Sequence, residues 1–126
     1  MIKYIFSLTI IFSASLCAAQ IQGHVIRVLD GDTLEILQDK KPVRVRLANI
    51  DAPEKKQPFG RWSATQLKDL VAGKPVTVQY AQTDRYGRIL GRVYTADGTE
   101  ANRWQVRNGA ACVSCYRELL GKPGGR

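Results

Sequence analysis

The apolar positions of the chain change period several times, and each change marks an element. From Ile21 to Leu29 the β-branched residues Val25, Ile26 and Val28 predict a strand, with Gly23 as a bend or bulge. Asp30-Gly31-Asp32-Thr33 follows with Asp-Gly turn chemistry. Leu34 to Leu37 alternates as a half-buried strand does, Gln38 to Pro42 is a polar turn, and Val43 to Ile50 is a third strand carrying Arg44 and Arg46. Together they predict a three-stranded meander with short turns. Pro53 helps end it, because proline fixes its own φ and pushes Ala52 toward an extended conformation.

Beyond the exposed loop Lys55 to Pro58 the period lengthens. Ala64, Leu67, Leu70 and Val71, with Trp62 near the start, predict an amphipathic helix closed by Gly73. Pro75 to Tyr80 and Ile89 to Thr95 are strands four and five, separated by the polar loop Gln82 to Gly87. After the Asp97-Gly98 turn, Thr99 to Arg107 predicts a second helix, with Thr99 as N-cap and Asn108-Gly109 as the stop. Ala110 to Tyr116 reads as one more short extended segment. The order β-β-β-α-β-β-α is mainly β, of α+β type. It fits a five-stranded OB-type Greek-key barrel with one helix between strands three and four and a second near the C-terminus.

A chain of 126 residues makes one domain. Residues 1–19 read as a secretory signal peptide: Lys3, an uncharged apolar run from Tyr4 to Leu16, then Cys17-Ala18-Ala19 before Gln20. That run is shorter than the ~20 residues of a comfortable membrane span. The expected protein is therefore exported, to a periplasm or the medium, with a domain over 20–116 and a flexible Gly-rich tail over 117–126. Lysine and arginine number 19 against 11 acids, a net charge of +8, of which the leader removes one lysine. Such a small basic domain is drawn to polyanions. Cys112 and Cys115 form a C-x-x-C pair outside any thioredoxin-like context, and the one histidine, His24, does not complete a zinc site. A local disulfide or two half-buried thiols are the open alternatives.

Candidate chemistry gathers at three loops: Asp30 and Asp32; Arg46, Asp51 and Glu54; and Arg85, Tyr86 and Arg88. Carboxylates suit a hard divalent cation, arginines grip phosphate, and a further carboxylate can orient or deprotonate a water. Each residue alone has a plainer reading. Asp30 and Asp32 build a turn, Arg46 pairs with Asp51 at the surface, Arg85 and Arg88 are solvated, Tyr86 is a core ring and His24 sits on a sheet face.

The joined motifs are Val28-Leu29-Asp30-Gly31-Asp32-Thr33, Arg46-Leu47-Ala48-Asn49-Ile50-Asp51-Ala52-Pro53-Glu54, Gln57-Pro58-Phe59-Gly60 and Asp84-Arg85-Tyr86-Gly87-Arg88. In content, order and spacing they resemble the staphylococcal (micrococcal) nuclease or thermonuclease family, from Ile21 to Gly109. The resemblance implies an OB-type barrel and a calcium-dependent secreted endonuclease. Such enzymes cut DNA and RNA without sequence specificity and leave 3′-phosphate ends. It assigns Asp32, Asp51 and the carbonyl of Ala52 to Ca2+, Glu54 to the attacking water, Arg46 and Arg88 to the phosphate, and Arg85 and Tyr86 to a terminal phosphate. After Gly109 the pattern departs: Tyr116 is the one tyrosine there, and the family's last helix is expected to be missing from a shortened C-terminus. The expected protein is a monomer without stable membrane association. The alternatives are a non-catalytic nucleic-acid-binding OB module and a truncated, inactive remnant.

Overall fold

Alternate side chains of five strands turn inward, and the strands close on them as a barrel. The computed structural model describes residues 19–113, so the signal-peptide reading, apart from Ala19, and the tail both lie outside the described residues. The strands are β1 (Ala19–Asp30), β2 (Thr33–Gln38), β3 (Lys41–Leu47), the two-residue β4 (Ile50–Asp51), β5 (Pro75–Thr83), β6 (Ile89–Thr95) and the two-residue β7 (Cys112–Val113). The barrel runs β1-β2-β3-β6-β5 and closes where β5 pairs antiparallel with β1. The β3–β6 pairing is parallel. β4 and β7 pair separately as a small sheet.

Leu34, Ile36, Val45, Leu47, Val78 and Val93 fill the interior, joined by Leu67 and Val71 of helix α1 (Gly60–Val71). Burying a side chain of this size stabilises by roughly 1.5–3 kcal/mol, so this apolar set is the main support of the barrel. A second helix, α2 (Ala101–Arg107), packs against α1 and β6.

The OB-type barrel with two helices is as expected, but several boundaries move. The third strand ends at Leu47 and not at Ile50, because its pairing with β6 runs out at Leu47 opposite Gly91. Asn49 then takes a left-handed conformation, φ 64°, which asparagine tolerates better than most residues. The expected polar turn at 38–42 shrinks to Asp39-Lys40, both at positive φ as a two-residue hairpin turn of type I′ requires. The bulges of β1 fall between Val25 and Arg27 and between Val28 and Asp30, not at Gly23. α2 starts at Ala101, with Glu100 and not Thr99 at the cap position. Within the expected segment 110–116, β7 is described. Its Cys112 is exposed, not half-buried, and Cys115 lies outside the described residues.

Candidate active site

Asp32 occupies the two-residue turn that joins β1 to β2. Only 6 % of it is exposed. Its Oδ1 accepts a hydrogen bond from Thr33 Oγ1 at 3.0 Å, its Oδ2 accepts one from the Ala52 N–H at 2.8 Å, and Arg46 Nη2 lies 3.2 Å from the same Oδ2. Burial pushes the Asp32 carboxyl above the usual carboxylate range. The Arg46 charge and the two hydrogen bonds pull it back, and neighbouring Asp30 adds to the rise. The turn is fixed from outside: a Cβ on Gly31 would sit 1.7 Å from Ser63 Oγ and 3.0 Å from Ala52 Cβ. Asp30 makes no direct contact with Asp32 or Arg46. Its Oδ1 accepts the Lys55 N–H at 3.1 Å and ties down the loop that leaves β4.

Arg46 is the hub. Nη1 donates to the carbonyls of Leu47 and Ile50, at 2.8 Å each, and Nη2 reaches Asp51 Oδ1 at 2.6 Å. A residue near the end of β3 thus clasps the turn that follows it and holds Asp51 beside Asp32.

Two amide side chains of α2 hold the acid-bearing turns from behind. Gln105 Nε2 donates to the carbonyl of Gly31 at 2.7 Å and to that of Ser63 at 3.0 Å. Asn102 Nδ2 donates to the carbonyls of Ala48 and Gly91, at 3.0 and 3.1 Å, while its Oδ1 accepts the Val93 N–H at 3.1 Å. Both residues are buried and lie three apart on one helix face. Sequence reasoning missed them. The available signal was polar amides at positions where the helical period asks for apolar residues.

The loop before β6 is organised by Asp84, to which sequence reasoning gave no role of its own. Its Oδ1 accepts the backbone N–H groups of Tyr86 and Arg88, both at 2.9 Å, and its Oδ2 accepts Arg88 Nε at 2.7 Å. Desolvation opposes these bonds, but together with the Arg88 charge they hold its carboxyl below the usual range. Tyr86 is not a core ring: it is 74 % exposed and stands between Arg85 and Arg88, whose guanidinium carbons lie 5.8 and 5.5 Å from the ring centre. A cleft of about 800 Å³ opens here, lined by Arg46, Asp51, Arg85, Tyr86 and Arg88 among others. Its wall includes the segment where β5 bulges between Tyr80 and Gln82.

Asp32, Ala52 and Glu54 do not line this cleft. Asp32 and Ala52 are joined to each other, and Asp32 to Arg46. Glu54 is exposed on the loop after β4, where its backbone, N–H and carbonyl, bonds Gln57. No hydrogen bond or ion pair engages its carboxylate among the described residues.

The donor set suits a hard cation. Asp32 Oδ2 and Asp51 Oδ1 both reach one nitrogen, Arg46 Nη2, so two carboxylates converge on one positively charged position. The guanidinium there stands in for a cation's charge. Among the described residues no cluster of three or more acidic, histidine or cysteine side chains forms, so two carboxylates would be supplemented by carbonyl or water oxygens. Ala52 presents its N–H to Asp32, which leaves its carbonyl as the group it has to offer a cation.

The comparisons with known proteins agree with this barrel. The family model described as staphylococcal nuclease homologue matches residues 44–122. An uncharacterized endonuclease of Escherichia coli is 60% identical over 111 residues, 88% of this chain and 72% of the relative. The micrococcal nuclease of Shigella flexneri is 49% identical over 113 residues, 83% of this chain and 63% of the relative. Protein ParB of Escherichia coli is 46% identical over 108 residues, 86% of this chain and 61% of the relative. With most of the described domain matched and the Arg46–Asp51 turn inside the family match, the chain belongs to the staphylococcal nuclease family.

Proposed function

We propose that the protein is a calcium-dependent endonuclease that hydrolyses phosphodiester bonds in DNA and RNA, without sequence preference, and leaves 3′-phosphate ends. The observation that carries this reading is the convergence of Asp32 and Asp51 on one cation position, beside a cleft lined by arginines. The endonuclease and micrococcal nuclease names of its relatives point the same way.

Asp32, Asp51 and the Ala52 carbonyl would hold Ca2+, which when bound supplies positive charge against the scissile phosphate. Arg88 engages Asp84 through Nε, which leaves its Nη groups for phosphate oxygens. Arg46, already at the carboxylates, is placed to share charge with the same phosphate. Arg85 and Tyr86 contact a neighbouring phosphate at the cleft rim. Glu54 carries a carboxylate with no competing partner among the described residues, suited to take or orient the proton of the attacking water. The leaving group is the 5′ oxygen. The protein is expected to act as a monomer after export, free of the membrane.

Incubation with single-stranded DNA, plasmid and RNA, in calcium and then in chelator, tests the reading. Cutting in calcium alone, with 3′-phosphate ends, is expected. Chelator-resistant cutting rejects the metal requirement. Salt-sensitive binding without cutting makes the protein a binding module. Glu54→Gln is expected to slow cleavage by roughly 10²–10⁴-fold with the melting temperature unchanged, since that carboxylate makes no hydrogen bond or ion pair among the described residues. Cleavage at the parental rate would remove Glu54 from its role.

A further inference from the structure

Phe59 is unsuited to its place on every structural ground. It sits at the N-cap of α1 in the left-handed conformation, φ 65° and ψ −1°. Glycine and asparagine visit that region readily and bulky residues rarely do. An N-cap favours Ser, Thr, Asp or Asn, whose side chains cap the first turn, and no side-chain cap bond is made here. Nor is the ring buried: 78 % of the residue is exposed. Backbone conformation, capping and packing would each select another residue.

Trp62 follows three positions later, in the first turn of α1, and is 44 % exposed. It stands outside the buried face of α1, which is Gly60, Ser63, Ala64, Leu67 and Val71. Lys55, Lys56 and Arg61, close to the two rings in sequence, are exposed, the first turn of α1 holds no acid, and none of the three cations is in an ion pair among the described residues.

This surface is firmly attached to the candidate site. A Cβ on Gly60 would lie 1.8 Å from the carbonyl oxygen of Glu54 and 2.8 Å from the Cα of Lys55. The backbone next to Phe59 therefore presses directly on Glu54. Gln57 N–H closes the loop onto the Glu54 carbonyl at 2.8 Å, and Asp30 anchors Lys55.

We propose that Phe59 and Trp62 form a stacking subsite for an unpaired base of a nucleic-acid strand, with Lys55, Lys56 and Arg61 along its backbone, next to Glu54 and outside the Arg85–Arg88 cleft. Aromatic faces interleaved with cations are how proteins hold single strands without reading sequence. A duplex hides its base faces, so the occupant is single-stranded. The subsite rests on the nucleic-acid reading above and extends the bound strand beyond the scissile phosphate.

Phe59→Asn separates this role from a structural one. Asparagine suits the left-handed cap, so the melting temperature should rise. Affinity for a labelled single-stranded oligonucleotide in chelator, read by fluorescence anisotropy, should fall about tenfold, the usual loss of one stacked base. In calcium the loss should appear in KM and not in kcat, Phe59→Trp should restore it, and Phe59→Leu should not. Unchanged affinity and KM in Phe59→Asn overturn the subsite, as does full retention by Phe59→Leu. Binding to anionic lipid vesicles that Phe59→Asn abolishes, with oligonucleotide binding intact, overturns it in favour of a membrane surface. If the parent binds but does not cut and Phe59→Asn weakens binding, the subsite stands and the nuclease reading falls. If the parent neither binds nor cuts single strands, both fall.

Discussion

Replacing Arg46 by Met tests whether the guanidinium or the apolar barrel holds the two acids together. Met keeps an unbranched apolar stem and removes every charged contact. Two backbone carbonyls, Leu47 and Ile50, lose donors at 2.8 Å, and Asp32 and Asp51 lose their shared cation. Asp51 is about a third exposed along its side chain, so water replaces much of its pairing. Asp32 has no such relief. Removing one partner of a buried ion pair costs about 3–5 kcal/mol, and the lower end applies here because Asp32 keeps its bonds to Thr33 and Ala52. A loss of about 3 kcal/mol lowers the melting temperature of a domain of this size by roughly 15 °C. The pH dependence carries the sharper test. Burial already holds the folded-state Asp32 carboxyl above its ordinary value, and the Arg46 charge is the leading force opposing that rise. Without Arg46 it rises further. A raised carboxyl makes the ionised form the costly one, so the cost is full above the folded-state value and disappears as pH falls toward the ordinary value near 3.8. Urea denaturation of parent and Arg46→Met at pH 7, 5 and 4 should show the gap narrowing in acid. Added calcium should raise the melting temperature of the variant, since a cation between the carboxylates replaces the missing charge. A gap below about 1 kcal/mol at pH 7, or one that widens in acid, refutes the argument.

Two further substitutions address the Asp32 turn. Gly31→Ala drives a methyl group into Ser63 Oγ and Ala52 Cβ and should cost about 1–3 kcal/mol in urea denaturation, with cleavage falling as Asp32 shifts. Gln105→Leu leaves the buried carbonyls of Gly31 and Ser63 without their amide donor. It should cost roughly 1–3 kcal/mol and speed amide exchange in the Gly31–Asp32 turn, and native-like exchange there would show that the turn needs no support from α2.

Much of the barrel was legible because strand burial repeats every second residue. Ile89–Thr95 came out with its observed bounds, since it is bounded by the polar 82–87 loop and the Asp97-Gly98 turn. Val43 to Ile50 looked like one strand for the same reason, but its break at Ala48 depends on where the pairing with β6 stops, and β6 is a remote partner. The acids and arginines of the site were legible as types at strand ends. Their pairing was not. Tyr86 illustrates the limit from the other side: nothing local distinguishes a core tyrosine from one held out between two arginines.

The sequence by itself determined the order of strands and helices, the basic charge, and the residue types from which a phosphate-handling site can be built. Periodicity and turn chemistry are properties of a few consecutive residues, so they are complete in one dimension. The tertiary structure alone decided that Arg46 joins Asp32 to Asp51, that Asp84 holds Arg88, and that two amides of α2 brace the acid-bearing turns. It also decided that Phe59 stands strained and exposed, next to Gly60, which presses on the backbone of Glu54. Barrel closure brings residues far apart in the chain within hydrogen-bond reach, and no local pattern encodes which ones meet.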